Sequence, residues 1–479
     1  MKGKPSRQGK AVCRRGGRST TKAGGALFLV LLGGVLFATE SSHPPNQPAG
    51  KQDESKAAPP VSPANDAGSA KNDSNGTGAF ATGHYRNLFV EAGHSPEAVK
   101  ARINAVFEQL FHGDPNTQAV YYAAGTNVNG PLAYVTDIKH QDVRTEGLSY
   151  GMMIAVQLDR QAEFDALWNW SKTYLYHNSL KSPSYGFFSW EARTNGEVMS
   201  QFVAPDGESY YVMALYFAAN RWGNGKGIYN YQVEADRLLT NMRHRRLITG
   251  QLFLTQGNTI TNLTVTAGSL FDAKPKMVLF SPSSERETFT DPSYHLPAFY
   301  ELWARWGPAA DRSFWLQTAA ASRNFFPRAA NPQTGLTPNY AHFDGMPTTA
   351  PWNRDAAEFR FDAWRTAMNW SVDWAWWGKD QQERQLSNRL QAFFASQGLS
   401  VYGCQFTLAG KPLDNHHASG LVAMNAVASL AATNPRAREF VEALWNTPTP
   451  EGIERYYDGL LYLMAMMHCG GEFRIWAPR

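Results

Sequence analysis

Between Ser95 and Gly113 the apolar residues Val99, Ile103, Val106, Phe107, Leu110 and Phe111 recur at three- and four-residue steps, the spacing of one buried helical stripe. Ser95 suits the N-cap, Pro96 the first helical position, Glu97 the first turn and Gly113 the exit. Segments of the same kind follow near 146–158, 161–177, 207–221, 230–246, 292–305, 309–326, 362–376, 380–397, 417–432, 434–446 and 453–468, which makes about twelve helices. The stretch 250–290, with Leu252-Phe-Leu-Thr and Leu263-Thr-Val-Thr, reads as strands or a long loop.

Strands do not alternate with helices, so a doubly wound sheet or a (β/α)8 barrel is disfavoured. No repeat of fixed period marks a solenoid. The pattern predicts an all-α chain, a closed (α/α)6 barrel forming one domain over residues 79–479, with long loops gathered at one end around a groove. Aromatic residues make up 13% of the 479 and charged ones 18%, which excludes a disordered chain and leaves ample material for a large core.

The N-terminus is different. Lys2, Lys4, Arg7, Lys10, Arg14, Arg15, Arg18 and Lys22 precede an apolar run from Ala26 to Ala38, too short for a comfortable membrane span. Residues 1–39 are expected to be a cleaved export signal or else an N-terminal anchor through 26–38, which places the protein outside the cytoplasm. Residues 40–78, rich in Ser, Pro, Ala, Asn and Gly, are expected to be a linker that buries too little surface to fold. The formal charge of +4 comes from the leader, so the remainder is acidic and gives no reason to expect nucleic-acid binding. Of three cysteines, Cys13 lies in the leader, and Cys404 and Cys469 can pair only if the fold brings them together.

Several motifs suggest chemistry that their context does not support. Gly147-Leu-Ser-Tyr-Gly151 satisfies G-x-S-x-G, but its flanks read as a helix running through the motif rather than a strand-to-helix elbow with Ser149 as nucleophile. His416 and His417 are adjacent and lack the spacing of metal ligands, and Gly223-Asn-Gly-Lys-Gly lacks that of a phosphate loop. No metal and no cofactor is expected.

Carboxylates at helix starts beside aromatic residues carry more. Glu146, Asp206, Asp291 and Asp362 each sit in such a place. Singly, each is explained by the helix dipole. Brought together in one aromatic-lined groove, they suit glycoside hydrolysis, in which one carboxylic acid protonates the leaving oxygen and a second carboxylate activates water or attacks. A carbohydrate-binding barrel without catalysis, and a sugar epimerase or lyase, are readings from other classes.

The blocks Arg144-Thr-Glu-Gly-Leu-Ser-Tyr-Gly-Met-Met-Ile-Ala, Ala204-Pro-Asp-Gly-Glu-Ser-Tyr, Asp291-Pro-Ser-Tyr-His-Leu-Pro-Ala-Phe-Tyr, Phe361-Asp-Ala-Trp-Arg and His416-His-Ala-Ser-Gly-Leu-Val-Ala resemble glycoside hydrolase family 8. Within it the likeness is nearest to the reducing-end xylose-releasing exo-oligoxylanases. The resemblance implies an inverting enzyme with Glu146 as general acid, Asp362 as general base in preference to Asp291, and Asp206 as the carboxylate that binds the sugar between them. It also implies substrate contacts from Tyr294, Arg365 and Tyr211. The loop Lys411–His417, with His416 and His417, would close the groove beyond the reducing-end sugar; an open groove would mean an endo-xylanase or endoglucanase of the same family. The expected partner is a xylo-oligosaccharide, with no membrane contact beyond the possible anchor, and the expected state is a monomer.

Overall fold

A computed structural model describes residues 77–283 and 289–478. The expected leader, Cys13 and all but the end of the expected linker lie outside the described residues. Two single turns, α1 (Ala79–Thr82) and α2 (Leu88–Glu91), precede twelve longer helices: α3 (Pro96–His112), α4 (Thr145–Gln157), α5 (Gln161–Tyr174), α6 (Pro205–Trp222), α7 (Tyr231–His244), α8 (Pro297–Trp306), α9 (Arg312–Ala329), α10 (Phe361–Trp377), α11 (Gln381–Gln397), α12 (Ser419–Val427), α13 (Ala437–Asn446) and α14 (Tyr457–Cys469).

Helices α4, α6, α8, α10, α12 and α14 each pack on the next, and α14 returns to α4. Around them α5, α7, α9, α11, α13 and α3 each lie against one inner partner. The result is a closed (α/α)6 barrel. Composition sorts the helices into rings. A helix apolar on every side must be buried on every side. Accordingly, every residue of α4 is buried except Glu146, and α12 and α14 are buried along almost their whole length. Outer helices need one apolar face only, and α3 buries the stripe from Val99 to Phe111 behind its Ser95 cap, whose side chain accepts from Ala98 N.

The barrel also carries a sheet that helical periodicity does not reveal. Strands β1 (Tyr121–Asn127), β2 (Gly130–Asp137), β3 (Asp142–Arg144), β4 (Glu191–Arg193), β5 (Val198–Ser200), β6 (Ile248–Gln256) and β7 (Thr259–Ala267) pair antiparallel in chain order. The β6–β7 hairpin accounts for much of the stretch 250–290. In β1, Tyr121-Tyr-Ala-Ala-Gly-Thr-Asn has no clean apolar alternation, which is why its sequence gives no strand signal. Strand β3 runs straight into α4, so Arg144 is both strand end and helix N-cap. Three helical segments are shorter than their sequence periodicity. One-turn 3-10 stretches at Pro292–Tyr294 and Gly452–Glu454 precede α8 and α14, and another, Ala428–Leu430, follows α12. Cys404 and Cys469 are both free and buried, and the Cys404 thiol donates to Asp414 Oδ2 at 3.0 Å.

Beyond the middle of α10, about 16 Å along the helix from Asp362, Arg323 of α9 is buried between two acids. It donates to both oxygens of Asp373, at 2.6 and 2.8 Å, and to Glu301 at 2.8 Å. Without Arg323, Asp373 is left as an uncompensated buried charge, while Glu301 keeps Lys379 at 2.8 Å and Arg305 at 2.9 Å. Arg323→Met should therefore lower unfolding free energy by about 3–5 kcal/mol, read from denaturant midpoints, while KM stays unchanged. A stability loss well under 1 kcal/mol would show that the acids are compensated by other groups.

Candidate active site

The inner helices run in one direction, so their N-termini meet at one end of the barrel. Glu146 stands in the first turn of α4, Asp206 in that of α6 and Asp362 in that of α10. Each dipole favours its own carboxylate, but three carboxylates in one place repel each other. Two glycines permit the close approach. A Cβ on Gly207 would lie 2.6 Å from Thr145 Cβ, and one on Gly147 would lie 2.6 Å from the Tyr456 ring.

Arg365, one turn beyond Asp362, joins the three acids. Its Nη1 donates to Glu146 Oε2 at 2.8 Å, to Asp206 Oδ2 at 3.0 Å and to the Tyr150 hydroxyl at 2.7 Å. Its Nη2 donates to Asp362 Oδ1 and to Ser293 Oγ, both at 3.0 Å. The guanidinium side chain is 2% exposed, against 14% for Glu146, 8% for Asp206 and 34% for Asp362. The cation is thus sealed beneath the carboxylates, and Asp362 is the one most open to the groove.

Burial sets the proton affinities. It pushes Glu146 up to about 7; Arg365 opposes this, while Asp206 and Asp362 add to it. Asp362 is raised in the same way, again by burial first, with Arg365 opposing and Asp206 adding. Asp291 is completely buried and raised well above the carboxylate range by burial and then by the charge of Asp362. Its Oδ1 accepts from Ser293 N at 2.7 Å. Asp291 is thus closed off from the groove where Asp362 is open, and its bond to Ser293 N places it in the turn before α8.

The other sequence-predicted residues divide. Tyr294 lies among the acids, with Asp206, Asp291 and Asp362 all acting on its buried hydroxyl, and its ring is parallel to Phe280 at 6.0 Å. Tyr211 does not reach the site. It is buried behind α6, sharing a hydrogen bond with Ser171 Oγ at 2.9 Å and packing on Trp168 and Phe188. The ring that faces the site from this helix is its neighbour Tyr210, edge-on to Tyr150 at 4.6 Å. His417 is drawn back, Nδ1 2.9 Å from the Tyr402 carbonyl, whereas His416 is exposed and close enough to act on Asp458 at the start of α14. The loop is anchored by Asp414, whose carboxylate accepts from Cys404 N at 2.8 Å and Gln405 N at 3.1 Å.

Ser149 is buried in α4 and its hydroxyl donates to the Glu146 carbonyl at 3.1 Å, which ends the serine-nucleophile reading. Residues to which the sequence motifs assigned no role are also here. Tyr456 donates to Glu146 Oε1 at 3.0 Å, and Arg144, held by Asp142 at 2.9 Å and Asp137 at 3.2 Å, stands beside the acid.

The family model described as glycosyl hydrolases family 8 matches residues 128–471, a span that contains all these acids. The chain belongs to glycoside hydrolase family 8. A family 8 xylanase of Teredinibacter turnerae, solved as a catalytic mutant with xylohexaose, is 51% identical with a TM-score of 0.80, over 84% of this chain and all of that one. A reducing-end xylose-releasing exo-oligoxylanase of Paenibacillus barcinonensis is 41% identical over 84% of this chain and 99% of its own length. One from Halalkalibacterium halodurans is 39% identical over 84% and 97%. The glycosidase fold and the resemblance read from the sequence both stand.

With Glu146 as proton donor, activity should fall as pH rises through its value, since only the protonated carboxyl can give a proton. The alkaline limb of kcat/KM for this family 8 enzyme is expected at about 7. A pH profile flat to pH 9 would contradict the placement of Glu146.

Proposed function

We infer that the protein is an inverting hydrolase that releases xylose from the reducing end of β-1,4-xylo-oligosaccharides. The observation that carries this is the meeting of Glu146, Asp206 and Asp362 on one buried guanidinium, in a chain about 40% identical to exo-oligoxylanases along nearly their full length.

In this reading Glu146 gives its proton to the glycosidic oxygen as the bond from that oxygen to C1 breaks. Water enters C1 from the opposite face and passes a proton to Asp362, so that the new hydroxyl is α. The 34% exposure of Asp362, the largest of the three carboxylates, and the nearby Tyr294 support its role as the base that takes up this water's proton. Asp206 binds hydroxyls of the sugar between the two and helps to hold its distorted ring, drawing on contacts along the groove. Arg365 opposes proton uptake by Asp362, while burial raises Glu146 to about 7 and so favours its protonated form. The scheme needs neither metal nor cofactor. His416, exposed on the loop Lys411–His417 at the same end of the barrel, would meet the anomeric hydroxyl of the terminal xylose.

A second reading is endo-xylanase action, favoured by the 51% likeness to the Teredinibacter enzyme bound to xylohexaose. We also propose that residues 1–39 direct export or anchor the chain, that 40–78 tether the catalytic domain at 79–479, and that the enzyme is a monomer.

Glu146→Gln and Asp362→Asn should each lower kcat by roughly 10²–10⁴-fold with the fold retained, and proton NMR of early product should show the α-anomer. Wild-type rates in either variant, or β product first, would remove the mechanism. Xylotriose should be cleaved much faster than its borohydride-reduced form. Equal rates would transfer the assignment to the endo reading.

A further inference from the structure

The N-cap and first two residues of α14 touch three separate parts of the site. Tyr456 donates to Glu146 Oε1 at 3.0 Å. Tyr457 donates to the carbonyl of Phe361 at 2.9 Å, the residue before Asp362. Asp458 accepts from Gly420 N at 2.6 Å and Ser419 Oγ at 3.3 Å, just after the His416–His417 loop. The first contact depends on a glycine, since a side chain at Gly147 would strike the Tyr456 ring. Tyr456 is itself buried, so its hydroxyl cannot exchange this partner freely for water.

Glu146 must hold a proton before the glycosidic bond breaks and be a carboxylate afterwards. Its two partners are unequal in this. Arg365 Nη1, on Oε2, can only donate, whichever state the acid is in. A tyrosine hydroxyl donates to a carboxylate and, by turning its hydrogen away, accepts from a carboxylic acid. Oε1 is therefore the oxygen where a proton can reside without losing its neighbour. The other groups that act on Glu146 are Asp362 and Arg365 from α10, Asp206 from α6, and Arg144 from the end of β3, with Tyr150 and Tyr457 alongside.

We propose that Tyr456 is the positioning residue for the proton on Glu146, and that with Tyr457 and Asp458 it holds acid, base helix and closing loop in register. The proposal rests on Glu146 being the general acid, and its test separates the two claims. Tyr456→Phe keeps the ring against Gly147 and removes only the hydroxyl. On xylotriose its kcat should fall about tenfold with KM changed by less than about twofold. Its alkaline limb should move upward, because the carboxylate has lost a donor.

β-Xylobiosyl fluoride supplies the decisive contrast, since fluoride leaves without protonation. On it Tyr456→Phe should match the wild type. Tyr457→Phe, acting on the base side that both substrates need, should lose activity on both. Equal losses by Tyr456→Phe on xylotriose and on the fluoride would overturn the proposal, as would an unchanged rate and pH profile. If Glu146→Gln itself cleaves xylotriose normally, the failure lies with the acid assignment instead.

Discussion

One buried cation makes this site possible. Three carboxylates within hydrogen-bond reach of one guanidinium would, without it, repel each other and take up protons until the charge was relieved. Arg365 meets all three while almost closed to solvent, with Tyr150 and Ser293 completing its fork. The planar donor geometry matters as much as the charge, because a lysine has no second nitrogen to reach Asp362. What remains after this compensation is an asymmetry. Burial raises the proton affinity of Glu146 and of Asp362 alike, but Asp362, at 34% exposure against 14%, keeps the more open side toward the groove.

The barrel delivers the acids to that cation. Six inner helices with one polarity bring six N-termini to one rim, and helices buried on every side leave few places for a charged group except the first turn. In α4 only Glu146 keeps part of its surface open, at 14% exposure. The sheet contributes the other half of the frame: β3 ends at Arg144, fixed by Asp137 and Asp142, and the next residues begin α4. The far end of the barrel solves a different electrostatic problem, with Arg323 paired to Glu301 and Asp373, so charges at the two ends are neutralised independently.

How much of this was readable along the chain depends on the range of the forces involved. Caps and stripes are local, so Ser95, Pro96 and the apolar series to Phe111 specify α3 from sequence alone. The convergence of Glu146, Asp206 and Asp362 is not local. It was reached through motif resemblance, since no spacing rule connects residues so far apart. Tyr211 shows the limit of motif transfer: in Ser209-Tyr-Tyr a step of one residue turns a side chain by about 100° around the helix, enough to exchange the groove-side ring for one in the core. Tyr456 carried no signal, because its role exists only once Gly147 has cleared space for it. The strands β1 to β5 escaped notice because they are short or lack alternation.

The central claim is that burial raises the proton affinity of Glu146 while Arg365 restrains it. The most direct measurement is a carbon-13 NMR titration of the Glu146 carboxyl, assigned by its absence in Glu146→Gln, in the wild type and in Arg365→Met. The account predicts titration at about 7 in the wild type and at a higher pH once the cation is gone. A wild-type carboxyl titrating near its ordinary value, or a downward shift in Arg365→Met, would contradict it.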